Sequence, residues 1–512
     1  MVGTSAPLAS FKTGPGVAPR PVPTSQGAET PMPMRYRPSV APLTAIAAAL
    51  SALLVAAPAT AQKKGEDKVQ PLHDRRPYIA PGAWTTDDPV RIPRRVVPIT
   101  EPDIVIRGGR VFDAISAGVR PATVVIRGNR IHAILPPDST AWAADARVID
   151  ATGKTVMPGL IDMHTHVTYP DRTTAIDEQA SEGGGTLRGA RNLRLFLEYG
   201  FTSVRDLNGV SNAPFLLSEW SAANMIPAPR VFAGGFIITG TGGHATERPV
   251  TPSHGPEYAK EVDGPDAWRA AVRRAFKQGA SVIKIGSHFA PDEVRAAVEE
   301  SHLLGLKVTC DCETIYTDMA VEAGVDMIEH PLPRSDAAIA MMAKKGIGAV
   351  PTMQVYQNLL DRAGGFYGST SRRFTMTSQG NFDVFKKMKA AGVVMGIGTD
   401  AIGEAARMAP NSYLAELKWF VKGGYSNVEV LKAATIVNAR LLDMGDKLGS
   451  IEVGKLADVI VVDGRPDENL DDILKVEHVV KDGLWLIREG ALVTPRQPPT
   501  PLIKPSPPAD VN

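Results

Sequence analysis

The 512-residue chain is poor in cysteine: it has two, Cys310 and Cys312, one residue apart. Neighbours that close rarely bridge, so no disulfide framework is expected to support the fold. An excess of one charge is missing as well. Lysine and arginine number 56 against 55 acidic residues, a formal charge of +1, which argues against a nucleic-acid surface built on bulk charge. A membrane-spanning run is also lacking. The best candidate, residues 43–57, carries no charge but is too short and has the wrong flanks.

That run belongs instead to a secretory signal pattern. Met34-Arg35-Tyr36-Arg37 gives a basic region, the apolar run follows, and Pro58-Ala59-Thr60-Ala61 ends in A-x-A before Gln62. Residues 1–61 are read as leader and signal peptide, cleaved near Ala61, with translation starting at the first residue or at Met32 or Met34. A membrane anchor is the other reading. Cleavage would remove four Lys/Arg and Glu29, leaving 52 basic and 54 acidic residues, a charge of −2. The expected product is periplasmic or secreted, with no stable membrane insertion once cleaved. Residues 62–102 read as an extended, Pro-rich lead and 495–512 as a disordered tail.

From Asp103 short β-forming runs alternate with Gly108-Gly109 and Gly128-Asn129, which reads as hairpins. The same pattern returns after residue 441. Residues 103–155 and 441–494 are therefore expected to form one small β-sandwich from both ends of the mature chain. Between them, over 156–440, strand, loop and helix alternate. Strands are expected at 156–163, 202–206, 230–234, 282–285, 307–312, 327–330, 348–352 and 393–400. Helices are expected at 186–199, 266–278, 291–304 and 381–391. Eight such strands are the sequence form of an α/β fold, a (β/α)8 TIM-like barrel, whose chemistry sits at the C-terminal ends of the strands.

Polar residues at those ends form a pattern. His164 and His166 close an apolar strand at spacing i, i+2, so both imidazoles point to one side and can reach one metal ion. Lys284 lies inside Val282-Ile283-Lys284-Ile285, where an ammonium is costly unless paired or modified. It either reaches the mouth to bind a substrate carboxylate or is carboxylated by CO2, its carbamate bridging two metals. His330 ends one strand and Asp400 another. A carboxylate there can bind metal and take a proton from water.

Together, Pro-Gly-Leu-Ile-Asp-Met-His-Thr-His, Val-Ile-Lys-Ile, Ile-Glu-His and Gly-Thr-Asp resemble the metal-dependent amidohydrolase superfamily. The likeness is to its branch of imidazolonepropionase-like proteins, Xaa-Pro dipeptidases and ochratoxinase-type amidases, over about residues 103–490. The resemblance implies that His164, His166 and Asp400 hold the more buried metal. It implies that Lys284, as its CO2-derived carbamate, bridges to a second metal held by His330. The expected cofactor is Zn2+, two per chain, with Mn2+ or Fe2+ as alternatives. One position departs: the family has histidine at the end of the fifth strand, where this chain reads Val308-Thr309-Cys310-Asp311-Cys312-Glu313. Asp311 can serve as a hard ligand; Cys310 or Cys312 can ligate instead; or the site is mononuclear or inactive.

Thr239-Gly240-Thr241-Gly242-Gly243-His244 resembles the family's T-G-G-H loop, so His244 is expected to bind a substrate carboxylate or polarise a carbonyl. His288 and Tyr356 are further substrate-facing candidates. The expected activity is hydrolysis of an amide-type C–N bond in a dipeptide, N-acyl amino acid or aryl amide, with Asp400 and His244 as catalytic residues. Two alternatives are kept: a cyclic-amide hydrolase or deaminase, and a catalytically silent periplasmic binding protein. The expected partners are a small-molecule or dipeptide substrate and, in a homo-oligomer, copies of the chain; nucleic acid is not among them.

Overall fold

The computed structural model describes residues 101–170, 181–246, 258–364, 366–368, 373–402 and 409–493. The leader, the signal peptide, the lead up to residue 100 and the tail lie outside the described residues.

The β-rich runs at the two ends of the described chain pair with each other. Ile104–Phe112 and Val119–Arg127 form an antiparallel hairpin with Ile104 opposite Ile126, and Arg130–Leu135 adds to it across Gly128-Asn129. Thr155–Pro158 pairs in parallel with the first strand and antiparallel with Val459–Val462, placing Pro158 opposite Val459. Val476–Lys481, Leu484–Arg488 and Ala491–Leu492 extend the same sheet, which has nine strands. Alternate residues of its early and late strands share one core, including Ile104, Ile106, Val124, Val156, Val459 and Val461.

Pro158-Gly159 carries the chain from this sheet into the strand Leu160–His166. The Gly159 N–H donates to the Asp458 carbonyl at 3.0 Å. A Cβ at Gly159 would lie 2.1 Å from Oγ1 of Thr202, so only glycine permits this approach. Asp458 in turn forms a buried ion pair with Arg230, 3.0 Å.

Parallel pairing then runs from Leu160–His166 to Phe201–Asp206 and Arg230–Ala233. The Ser281 N–H donates to Ala233, linking Val282–Gly286 to the series. Lys307–Asp311, Met327–Glu329 and Gly348–Val350 follow in parallel. The stretch expected as a strand at 393–400 is extended but pairs sparsely, through a bridge of Met395 to Ala349. Its other edge meets the first strand: Met163 N–H donates to Ile397 and Asp400 N–H to His164. The buried Asn438 amide holds this seam, donating to the carbonyls of Ile161 and Ile397 and accepting from Ile397 N–H.

Helices alternate with these strands, and the fold is mixed α/β. Glu182–Glu198 begins four residues before the expected start of 186, despite three glycines, because Ser181 accepts from Gly184 N–H as an N-cap. Pro265–Gln278, Pro291–Leu303 and Ser378–Ala391 occupy the other expected helical stretches. Among the described residues, no helix is long and apolar enough to cross a membrane.

Cys310 and Cys312 are buried in the hydrophobic core, with Cα atoms 5.2 Å apart. The two-residue period of an extended chain turns both side chains to the same face.

Candidate metal centre

Six of the residues singled out by sequence meet at the C-terminal ends of the parallel strands, all buried: His164, His166, Lys284, Asp311, His330 and Asp400. Nδ1 of His166 lies 2.9 Å from the Asn208 carbonyl, and Nδ1 of His164 lies 2.8 Å from Glu329 Oε2. A carbonyl and a carboxylate only accept, so each neutral ring carries its proton on Nδ1 and turns a lone pair outward from Nε2. Those lone pairs point at an anion. His166 Nε2 is 3.0 Å and His164 Nε2 3.6 Å from Asp400 Oδ1. Among the described residues, that buried oxygen accepts no hydrogen bond. Donor atoms of His164, His330 and Asp400 also lie within 4.8 Å of one another. An orphaned carboxylate oxygen facing two imidazole lone pairs is a donor set that fits a divalent cation.

A second group centres on Oδ2 of Asp311. His244 Nε2 lies 3.0 Å, His330 Nε2 3.1 Å and Lys284 Nζ 3.2 Å from it. Lys284 Nζ is also 3.3 Å from His164 Nε2, so it lies between the two groups. His330 and Asp400 both have positive φ, 67° and 52°. That backbone region is unfavourable for residues other than glycine and is found where a site holds it in place. The Arg334 guanidinium grips the His330 carbonyl, and Thr352 Oγ1 sits 2.8 Å from His330 Nδ1.

Burial pushes His164 well below the usual imidazole value, which keeps it neutral and ready to ligate. Asp162 and Asp206 are pushed up by burial to about 7. Asp162 accepts from the N–H groups of His164 and Thr399, tying two of the strand ends together.

The supporting residues were missed in the sequence. Glu329 accepts from His164 Nδ1–H while pairing with the fully buried Arg205, 2.6 Å away. The available signal was an arginine inside the strand expected at 202–206, where a buried guanidinium needs a buried acid. Tyr169 was also missed; its ring stacks on His166 at 4.8 Å. Of the substrate-facing candidates, Tyr356 is buried with its ring 5.0 Å from that of His330. His244 joins Asp311. His288 is exposed, and the structure does not bring it into the cluster; a methyl at Gly242 would sit 3.8 Å from its ring.

Residues 155–486 match the amidohydrolase family. The chain belongs to that family. It is a hydrolase acting on carbon–nitrogen bonds. An imidazolonepropionase of Geobacillus sp. (strain WCH70) is 26% identical over 392 residues, covering 68% of this chain and 85% of that protein. A crystal structure of an amidohydrolase is 31% identical with TM-score 0.67, covering 76% of this chain and 99% of that one. A prolidase complexed with N-methylphosphonate-L-proline is 29% identical with TM-score 0.66, covering 76% of this chain and all of that one. These neighbours imply a TIM-barrel-type α/β fold for this amidohydrolase.

Proposed function

We propose that this amidohydrolase uses two metal ions to cleave an amide-type C–N bond of a small molecule, in a dipeptide, an N-acyl amino acid or an aryl amide. The observation that carries the reading is the unprotonated oxygen of Asp400 facing the lone pairs of His166 and His164. His164, His166 and Asp400 would hold one ion. His330, Asp311 and Lys284, the last as a carbamate formed by CO2 on Nζ, would hold the other. Zn2+ suits imidazole and carboxylate donors, with Mn2+ or Fe2+ as alternatives.

A divalent ion in such a site lowers the pKa of water from about 15.7 toward about 7 and polarises a carbonyl. Asp400 takes the proton of the attacking water and passes it to the leaving nitrogen. Glu329 and the Asn208 carbonyl keep His164 and His166 in the ligating tautomer throughout. Tyr356, against His330, lines the substrate side.

The likeness to a prolidase and to imidazolonepropionase supports a dipeptide ending in proline as the first substrate to try and a cyclic amide as the second. The pairing series supports a closed (β/α)8 barrel over 156–440. The shared core of the early and late strands supports a β-sandwich built from 103–155 and 441–494. The A-x-A pattern before Gln62 supports export to the periplasm or outside the cell.

The test is a hydrolysis screen of the zinc-loaded protein against Xaa-Pro dipeptides, N-acyl amino acids, aryl amides and cyclic amides. Turnover that needs metal is expected with a member of the first three classes. A silent screen with metal bound would overturn the substrate classes proposed here.

A further inference from the structure

His244 is delivered to Asp311 by a loop built as a rigid support. Thr239 Oγ1 donates to the Ser287 carbonyl at 2.7 Å. Thr241 bonds Asp263 through both its N–H, 3.1 Å, and its hydroxyl, 2.6 Å. Gly242 N–H donates to Glu261 at 2.8 Å, and Gly243 N–H to the Gly240 carbonyl at 2.9 Å. The glycines lie backbone on backbone against the neighbouring chain. A Cβ at Gly240 would fall 1.8 Å from the His288 carbonyl oxygen, and one at Gly243 would fall 2.7 Å from that of Ser287. The loop is thereby fastened to the exit of Val282–Gly286, the strand that carries Lys284. His244 needs no further ordering to reach Asp311.

Two imidazoles flank one carboxylate oxygen here: His244 Nε2 at 3.0 Å and His330 Nε2 at 3.1 Å from Asp311 Oδ2. Four-coordinate zinc with bonds of about 2.0–2.2 Å sets neighbouring ligand atoms roughly 3.3 Å apart, close to the two spacings on Asp311 Oδ2. Two imidazoles and one carboxylate are also a donor set found at catalytic zinc sites. Asp311 and His330 lie on adjacent parallel strands or their exits, and His244 approaches from the loop above them.

We propose that His244 is a ligand of the second metal, completing a His244–Asp311–His330 set for a zinc ion. This rests on the two-metal reading given above. It assigns His244 to the metal instead of to a substrate carboxylate. The Gly-rich loop then acts as a fixed wall of the metal centre.

Metal-free protein, prepared by dialysis against a chelator, would be titrated with Zn2+ by calorimetry, with elemental analysis of the gel-filtered product. The parent is expected to retain two equivalents. His244→Ala should keep the first equivalent at unchanged affinity and bind the second about 10–100-fold more weakly. His244→Asp, which restores a donor, should recover part of that loss. Gly240→Ala, which displaces the loop without touching a donor atom, should weaken the second equivalent alone. The first equivalent reports that each variant is folded. A second equivalent as tight in His244→Ala as in the parent overturns the proposal. So does a parent that retains only one, in which case amide turnover by that protein leaves the hydrolase reading intact. Two equivalents with the expected His244 effect, but no amide hydrolysed, would support the ligand and overturn the hydrolase reading.

Discussion

Nε2 of His166 and Oδ1 of Asp400 face each other at 3.0 Å with no proton to share, because the His166 proton is on Nδ1 against the Asn208 carbonyl. Two electron-rich atoms in a buried site repel unless a cation lies with them. Chelation should therefore destabilise the protein as well as silence it. Free zinc at 100 times its dissociation constant adds about 2.7 kcal/mol to folding stability. Thermal unfolding before and after chelation, and after zinc is restored, checks this. An unfolding temperature that ignores zinc would argue against a built cation site.

Asp400 both faces the ligand pair and stands ready to move a proton. Asp400→Asn keeps the shape of the side chain and removes its basicity. Turnover should fall about 100- to 10,000-fold, in the range of general acid–base catalysis. The circular dichroism spectrum should not change. Full activity in this variant would exclude Asp400 from the chemistry.

Glu329 is buried with three dependants: His164 Nδ1, Arg205 and the Thr309 hydroxyl. Glu329→Gln leaves the Arg205 charge uncompensated, which should cost about 3–5 kcal/mol in denaturant unfolding. It also frees the His164 tautomer, which should weaken the first zinc equivalent about 10–100-fold. A variant with lower stability but unchanged zinc affinity would confine Glu329 to a packing role.

Glu416 offers a pH test at a residue that is not itself a proposed ligand. Its carboxylate oxygens accept from the N–H groups of Met353 and Gln354, 2.9 and 2.8 Å, at the start of the helix Met353–Ala363. Burial nevertheless pushes its carboxyl from 4.5 to about 8. Between those values the fold binds a proton that the unfolded chain has released, so stability falls as pH rises through that window. Glu416→Gln cannot ionise. Any lost hydrogen bond is a constant cost, so the difference in unfolding temperature should move in the variant's favour as pH rises across the window. A difference that stays flat with pH would show that Glu416 ionises in the fold as it does in solvent.

The clustered residues were legible because each ends or interrupts an apolar strand, where period and polarity signal it locally: His164 and His166 by their spacing, Lys284 by its apolar neighbours, Asp400 by the run before it. Glu329 stood in plain view next to His330, but its use depends on Arg205, 124 residues earlier. An arginine within an expected strand signals that a buried acid is needed, but nothing local says which one. The Asn208 carbonyl is a backbone atom and leaves no trace in residue type. The stretch 393–400 read as a strand from its composition, yet it pairs sparsely because Asn438 and the backbone of 161–164 occupy its hydrogen-bonding groups. The link between His244 and Asp311 was also out of reach, since it depends on how the loop at 239–246 is fastened.

The first metal-binding strand grows directly out of Thr155–Pro158, whose antiparallel partner, Val459–Val462, comes from the far end of the chain. Pairings so distant in sequence form slowly, since the intervening chain must be gathered before they are rewarded. During synthesis Thr155–Pro158 lacks this partner until nearly the whole polypeptide has emerged. The strand carrying His164 and His166 finds Phe201–Asp206 early and Ala401–Ile402 only about 200 residues later. The candidate centre therefore cannot close before Asp400 has been made, and a shorter chain has no cage in which to trap a stray ion.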